Sequence, residues 1–166
     1  RMNKILVSMA AILVALLPIN GAAKGVATIA AEAEAHPTFD NDDDFLDYIE
    51  KVHFNYMWEG AEANSGLACE RIHLDGVYPQ NDKTVVTIGG SGFGVAGLIV
   101  GMERGFITRA EGVARLHKIV DFLTRADRFH GVWPHWLEGT TGKVKPFGKK
   151  DNGGDLVESC FLMESL

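Results

Sequence analysis

Residues 93–103 are apolar nearly all the way round a helix of that length, and this run constrains the chain more than any other feature. A helix without a polar face belongs deep inside a domain, packed by neighbours rather than wetted on one side. The rest of the pattern supplies helical neighbours. Asn41-Asp42-Asp43-Asp44 puts negative charge where a helix begins, and Phe45, Ile49, Val52 and Tyr56 then recur at helical spacing to about Met57. Residues 60–66 break that helix, and residues 67–83 have no sustained period and read as a loop turning at Pro79-Gln80-Asn81-Asp82. Residues 84–88 form a short β-favouring run ahead of Gly89-Gly90-Ser91-Gly92. Gly97 and Gly101 are expected to let the apolar helix pack tightly.

The third helix is the best defined. Thr108 and Glu111 form a capping box, and Val113, Leu116, Val120 and Leu123 make an apolar stripe behind it. Residues 132–137 and 143–147 flank Glu138-Gly139-Thr140-Thr141-Gly142, which predicts a hairpin or a long ordered loop. A fourth helix begins near Gly154, with Leu156, Val157, Phe161, Leu162 and Leu166 as its apolar residues and no stop signal after them. The expectation is a mainly α fold that forms the N-terminal part of a longer domain.

The first residues stand apart. Lys4, then an almost wholly apolar run over residues 5–17, then Pro18 and small residues to Ala23, follow the order of a secretory signal peptide over residues 1–23. The run is short for a bilayer span, which needs about 20 residues, so export is favoured over an anchor helix. Residues 24–38 read as a flexible leader, and residues 39–166 as the folded part. The chain is expected to be secreted or periplasmic, with no membrane contact after cleavage. A formal charge of −6 without a basic stripe excludes a nucleic-acid partner. Cys69 and Cys160 are either a bridge in an oxidising compartment or two free thiols.

Chemistry concentrates late in the chain. Asp151, Asp155 and Glu158 are spaced to share one helical face if the helix starts early enough. Paired carboxylates are what glycoside hydrolysis uses: one protonates the departing oxygen while another activates water or attacks carbon. On spacing alone the same acids also serve as a helix N-terminus that offsets the dipole. Trp133-Pro134-His135-Trp136 precedes them, and Tyr56, Trp58 and Phe147 add aromatic surface of the kind that stacks on sugar rings. The alternative for Trp133 and Trp136 is ordinary core. His130 and His135 lack a third ligand, so no metal is expected. Gly90-Ser91-Gly92-Phe93-Gly94 imitates a dinucleotide-binding turn, but its glycine spacing is wrong and no Walker lysine follows, so no cofactor is expected.

These blocks occur in a recognisable order. Phe54-Asn55-Tyr56-Met57-Trp58-Glu59-Gly60-Ala61, Ser65-Gly66-Leu67 with Arg71, and Thr87-Ile88-Gly89-Gly90-Ser91-Gly92-Phe93-Gly94 come first. Gly101-Met102-Glu103-Arg104-Gly105, Thr108-Arg109, Phe129-His130-Gly131-Val132-Trp133-Pro134-His135-Trp136 and Asp151-Asn152-Gly153-Gly154-Asp155-Leu156-Val157-Glu158 follow. In this the chain resembles the glucoamylase-like family, and within it the bacterial endo-β-1,2-glucanases (glycoside hydrolase family 144). The resemblance implies the N-terminal portion of an (α/α)6 barrel. It also implies inverting hydrolysis of β-1,2-glucan to short sophorooligosaccharides, with catalytic or binding acids among Asp151, Asp155 and Glu158. Trp133, His135, Trp136, Phe93, Trp58 and Arg71 are the expected substrate contacts. Asn152 stands where the family often has another acid, which lowers the local charge. A transglycosylase of the cyclic-glucan type and a non-catalytic glucan-binding module are the alternatives.

Overall fold

The computed structural model describes residues 37–166, so the expected signal segment and all but the end of the leader lie outside the described residues. The order of elements is α1 (Asp42–Trp58), β1 (Val85–Thr87), α2 (Ile88–Glu103), α3 (Arg109–Arg125), β2 (Trp136–Glu138) and α4 (Leu156–Ser165). Helix α1 starts as its sequence dictates: Asn41 accepts the Asp44 backbone N–H at 2.9 Å, ahead of three aspartates in the first turn. Its inner face differs from the predicted stripe. Phe45 is exposed, Ile49, Val52 and Tyr56 are half-buried, and Phe54 is the buried residue. Phe54 stacks on Trp58 and packs on Phe106, filling space left by the missing side chain of Gly101 on α2.

Helix α2 begins at Ile88, directly off the strand, rather than at Phe93. Glycines are poor helix formers, so sequence preference placed them in a turn. Packing overrides that preference, because α2 makes its most extensive contact with α4 and the glycines are the contact surface. A Cβ on Gly92 would run into the Phe161 carbonyl, and one on Gly89 would lie 2.5 Å from Glu158 Oε2. Ser91 steadies this turn by donating to the Thr87 carbonyl (2.5 Å) and accepting from the Ala68 N–H (3.0 Å). Gly97 has open space beside it, so its expected packing role is not realised. Nor is α2 buried all round. Ile88, Val95 and Leu98 face the core, while Phe93, Ile99 and Val100 are exposed. Helix α4 behaves likewise: Leu162 is buried, but Leu156, Val157, Phe161 and Leu166 are exposed.

The capping box of α3 is present in full, with the Thr108 and Glu111 side chains each bonded to the other's backbone N–H. Its buried face, however, runs through Gly112, Ile119, Phe122 and Leu123, and the predicted Val113 and Val120 are exposed. Close approach to α2 sets this rotation, since a Cβ on Gly112 would sit 2.7 Å from Met102 Sδ. The hairpin expectation holds only in part. The turn forms, with Gly142 N–H donating to Glu138 O and Gly142 at φ +75°, but residues 143–147 add no more than a bridge from Val144 to Leu137. The main partner of β2 is the distant β1, antiparallel, with Val86 opposite Leu137 and Thr87 opposite Trp136.

The glycine contacts give opposite signs for two formally identical changes. In an exposed helix interior Gly→Ala stabilises by about 1 kcal/mol. Gly97→Ala should follow that rule, whereas Gly92→Ala should destabilise by about 1–3 kcal/mol because the Phe161 backbone blocks the new methyl. Urea unfolding of the two variants beside the parent checks the pair.

Candidate active site

The ribbon and α4 meet at the N-terminal end of α2. Ile88 donates its N–H to the His135 carbonyl (3.0 Å), setting the entrance of β2 over the first turn of α2. On the other flank, Asp155 N–H donates to the Trp133 carbonyl (2.8 Å) and Pro134 bridges Gly154. Ser159 Oγ accepts from Trp133 N–H (3.0 Å) and donates to Trp133 O (3.2 Å). These ties hold Trp133-Pro134-His135-Trp136 against the start of α4, so residues from both segments share one corner.

At that corner two carboxylates face one imidazole. Asp155 is the N-cap of α4, its Oδ1 accepting the backbone N–H groups of Val157 (3.0 Å) and Glu158 (3.1 Å). Its Oδ2 lies 3.0 Å from His135 Nδ1. An ionised carboxylate only accepts, so Nδ1 carries the proton in this pair. His135 Nε2 faces Glu158 Oε2 at 3.7 Å. That same oxygen accepts the Gly89 N–H (2.8 Å) and lies 3.5 Å from Thr87 Oγ1, placing the Glu158 charge on the positive end of α2. Glu158 Oε1 accepts no hydrogen bond among the described residues. Burial by itself pushes the Asp155 carboxyl up. The Glu158 N–H, the His135 ring and the Val157 N–H together outweigh it and hold the group below its ordinary 3.8. Asp155 is therefore an acceptor at neutral pH and a poor proton donor.

Aromatic surface adjoins the carboxylates. The Trp136 ring lies against His135, with centroids 3.8 Å apart, and Phe147 meets it edge-on at 4.9 Å. Trp136 Nε1 donates to Glu70 Oε2 (2.8 Å), and Glu70 Oε1 accepts from Arg71 (3.1 Å), whose guanidinium lies 5.9 Å from the Phe147 ring centre. Thus His135, Trp136, Arg71, Asp155 and Glu158 are brought together.

Other predicted members are not. Asp151 lies in the loop before α4, with its carboxylate against Gly148, because the helix begins too late to carry it on the shared face. Trp133 is 8% exposed and belongs to the core, where Arg128 lies over its ring. Trp58 packs between Phe54 and the Arg115 guanidinium (4.2 Å) at the far end of α1. Phe93 is exposed beside Phe161 on the outer face of α2. Sequence reasoning missed Glu70, which sits in an aperiodic loop, and gave the Thr87–Gly89 step no contact with the acids.

Among the described residues no group of three or more His, Cys, Asp or Glu side chains is arranged to hold a metal, and no helix is long and apolar enough to cross a membrane. Cys69 and Cys160 are free thiols rather than a bridge. Burial pushes the Cys69 thiol up to about 11, which makes it unreactive at neutral pH.

No protein-family model matches the chain. Individual proteins do match. Over 126 residues it is 52% identical to the exo β-1,2-glucooligosaccharide sophorohydrolase (non-reducing end) of Parabacteroides distasonis, an alignment covering 75% of this chain and 16% of that protein. The endo-β-1,2-glucanase of Chitinophaga pinensis, solved with sophorotriose and glucose, superposes with a TM-score of 0.74 at 61% identity. That match takes in 75% of this chain and 30% of the solved one. A β-1,2-glucanase from Parabacteroides distasonis gives 0.70 at 48% identity, over 79% of this chain and 18% of its own. The chain is thus similar over most of its described length to these β-1,2-glucanases, and its fold matches part of their α/α barrel. It spans 16–30% of the length of these relatives.

The depressed Asp155 carboxyl predicts how stability responds to acid. Its folded value lies below the unfolded 3.8, so its contribution is whole above that pH and is lost as pH falls through the folded value. Asp155→Asn keeps the cap but does not titrate, so it should flatten the acid limb of a stability–pH curve. Asp155→Ala loses the cap and should cost about 1 kcal/mol at neutral pH. Urea midpoints across the acid range read both effects.

Proposed function

We propose that this chain carries part of the active site of an inverting endo-acting glycoside hydrolase that cleaves β-1,2-glucan. The observation that supports this best is the pair of carboxylates on His135, with Glu158 Oε1 unpartnered among the described residues, beside the Trp136–Phe147 surface. A glucosyl ring offers an apolar face to such a surface and hydroxyls to its polar rim. The names of the relatives support the substrate class, and the higher identity to the endo-acting relative supports the mode of attack.

In an inverting reaction one carboxylate draws a proton from water while a second acid protonates the leaving oxygen. Glu158 suits the first role: Oε2 is fixed by the Gly89 N–H, and Oε1 is left to hold and deprotonate a water. Asp155 has both oxygens occupied by N–H donors, so its part is to hold His135 and the first turn of α4. The proton donor then comes from outside the described residues. Residues 1–23 are proposed to export the protein to the periplasm or beyond.

Two measurements test this. On the gene's complete product, Glu158→Gln should lower reducing-end release from linear β-1,2-glucan by about 10²-fold or more. Full activity in that variant sinks the assignment of Glu158, and an uncut glucan with the parent protein sinks the substrate class. N-terminal sequencing of the exported product should begin near Lys24, and a product that retains residues 1–23 overturns the export reading.

A further inference from the structure

Asp82 is the least explained charge among the described residues. It lies in the loop before β1, is 1% exposed, and neither of its carboxylate oxygens has a hydrogen-bond partner. A carboxylate stripped of water and of donors persists only beside compensating positive charge. Here that charge is the Arg71 guanidinium, whose Nε lies 3.4 Å from Asp82 Oδ2. The His73 ring stands 3.9 Å from the same oxygen, and its own Nε2 is buried without a hydrogen bond. Tyr78 closes this side, its ring edge-on to His73 (4.8 Å) and its hydroxyl accepting the His73 N–H (3.3 Å).

The other groups of Arg71 show what this arrangement achieves. One amino group is bonded to Glu70, Nε faces Asp82, and Nη1 has no partner among the described residues. Glu70 has both oxygens occupied, one by Arg71 and one by Trp136 Nε1. A chain of contacts thus runs from buried Asp82 through Arg71 and Glu70 to Trp136, and on to His135 and Asp155. A guanidinium is a planar fork, so fixing two of its edges fixes the direction of the third.

We propose that Asp82 is a positioning residue for substrate: through Arg71 it holds one guanidinium edge beside the Trp136–Phe147 surface, where it donates to glucan hydroxyls. The inference rests on the glucan reading above. It adds that recognition depends on a carboxylate that substrate never touches. Without Asp82 the guanidinium still pairs with Glu70 but swings about that single tie, and the preorganised donor is lost.

The test uses the gene's complete product with Asp82→Asn, Arg71→Lys and the double variant. Asp82→Asn should raise KM for β-1,2-glucooligosaccharides about tenfold, the equivalent of about 1.4 kcal/mol, with kcat changed less than about twofold. Arg71→Lys should give a similar KM, and the double variant no more than either alone, because both act through one group. An unchanged KM in Asp82→Asn, or effects that multiply in the double variant, overturns the proposal. A second readout needs no glucan. Phenylglyoxal labelling of Arg71, followed by peptide mass spectrometry, should be faster in Asp82→Asn than in the parent, and an equal rate overturns the proposal even if the parent cleaves no glucan. Melting curves run alongside identify a variant that fails to fold. Arg71→Lys, at a half-exposed position, then carries the test alone: an unchanged KM in it is the overturning result.

Discussion

Everything at the candidate site depends on how closely α2 and α4 approach. Glycine at positions 89 and 92 lets the backbone of α4 and the Glu158 carboxylate come to where side chains would otherwise stand. That approach delivers a negative charge to the positive end of α2 and stabilises both helix starts. It also brings α4 under the end of the β1–β2 ribbon, which is where His135 leads into β2. The poor helix propensity of three glycines in a first turn and a half is the energetic cost, and burial of Ile88, Leu98 and Leu162 around the crossing offsets it.

One consequence is that folding and the proposed chemistry share the same carboxylates. Asp155 caps α4 and orients His135, and Glu158 caps α2 and faces the other imidazole nitrogen. An acid with both oxygens committed to N–H donors is held ionised and immobile. An acid with one oxygen committed is fixed in place yet still has a lone pair for a water or a hydroxyl. The difference in role assigned to the two acids follows from that count of occupied oxygens rather than from their position in the motif.

The polar side of the site is built on different principles from the helical side. Residues 69–82 have no regular structure of their own, and they are held by the bridge from Cys69 to Val86, by the Tyr56 hydroxyl on the Cys69 carbonyl and by the ion pairs around Asp82. A loop so fastened places Glu70 and Arg71 against Trp136 and Phe147 with little freedom. Rigid presentation of donors beside an aromatic surface suits a ligand made of repeating, similar rings, where orientation must come from a few directed contacts.

Local chemistry was written plainly in the chain. The starts of α1 and α3 could be read because a cap needs only its own side chain and the next three residues, and the strand over Val85–Thr87 and the turn at Gly142 are equally local. The resemblance named Asp155, Glu158, His135, Trp136 and Arg71 as site residues, together with Asp151, Trp133, Phe93 and Trp58, which the fold places elsewhere. Tertiary structure decided what depends on a neighbour distant in sequence. Gly89-Gly90-Ser91-Gly92 became helix because α4 lies across it, and α3 turned its Gly112 side inward because Met102 lies there. Asp151 fell off the shared face because α4 starts only at Leu156, and Trp133 went to the core because Ser159 and Asp155 hold its backbone there. Glu70 and Asp82 carry no periodicity and no motif, and a buried charge acquires its meaning only from the groups that pack around it.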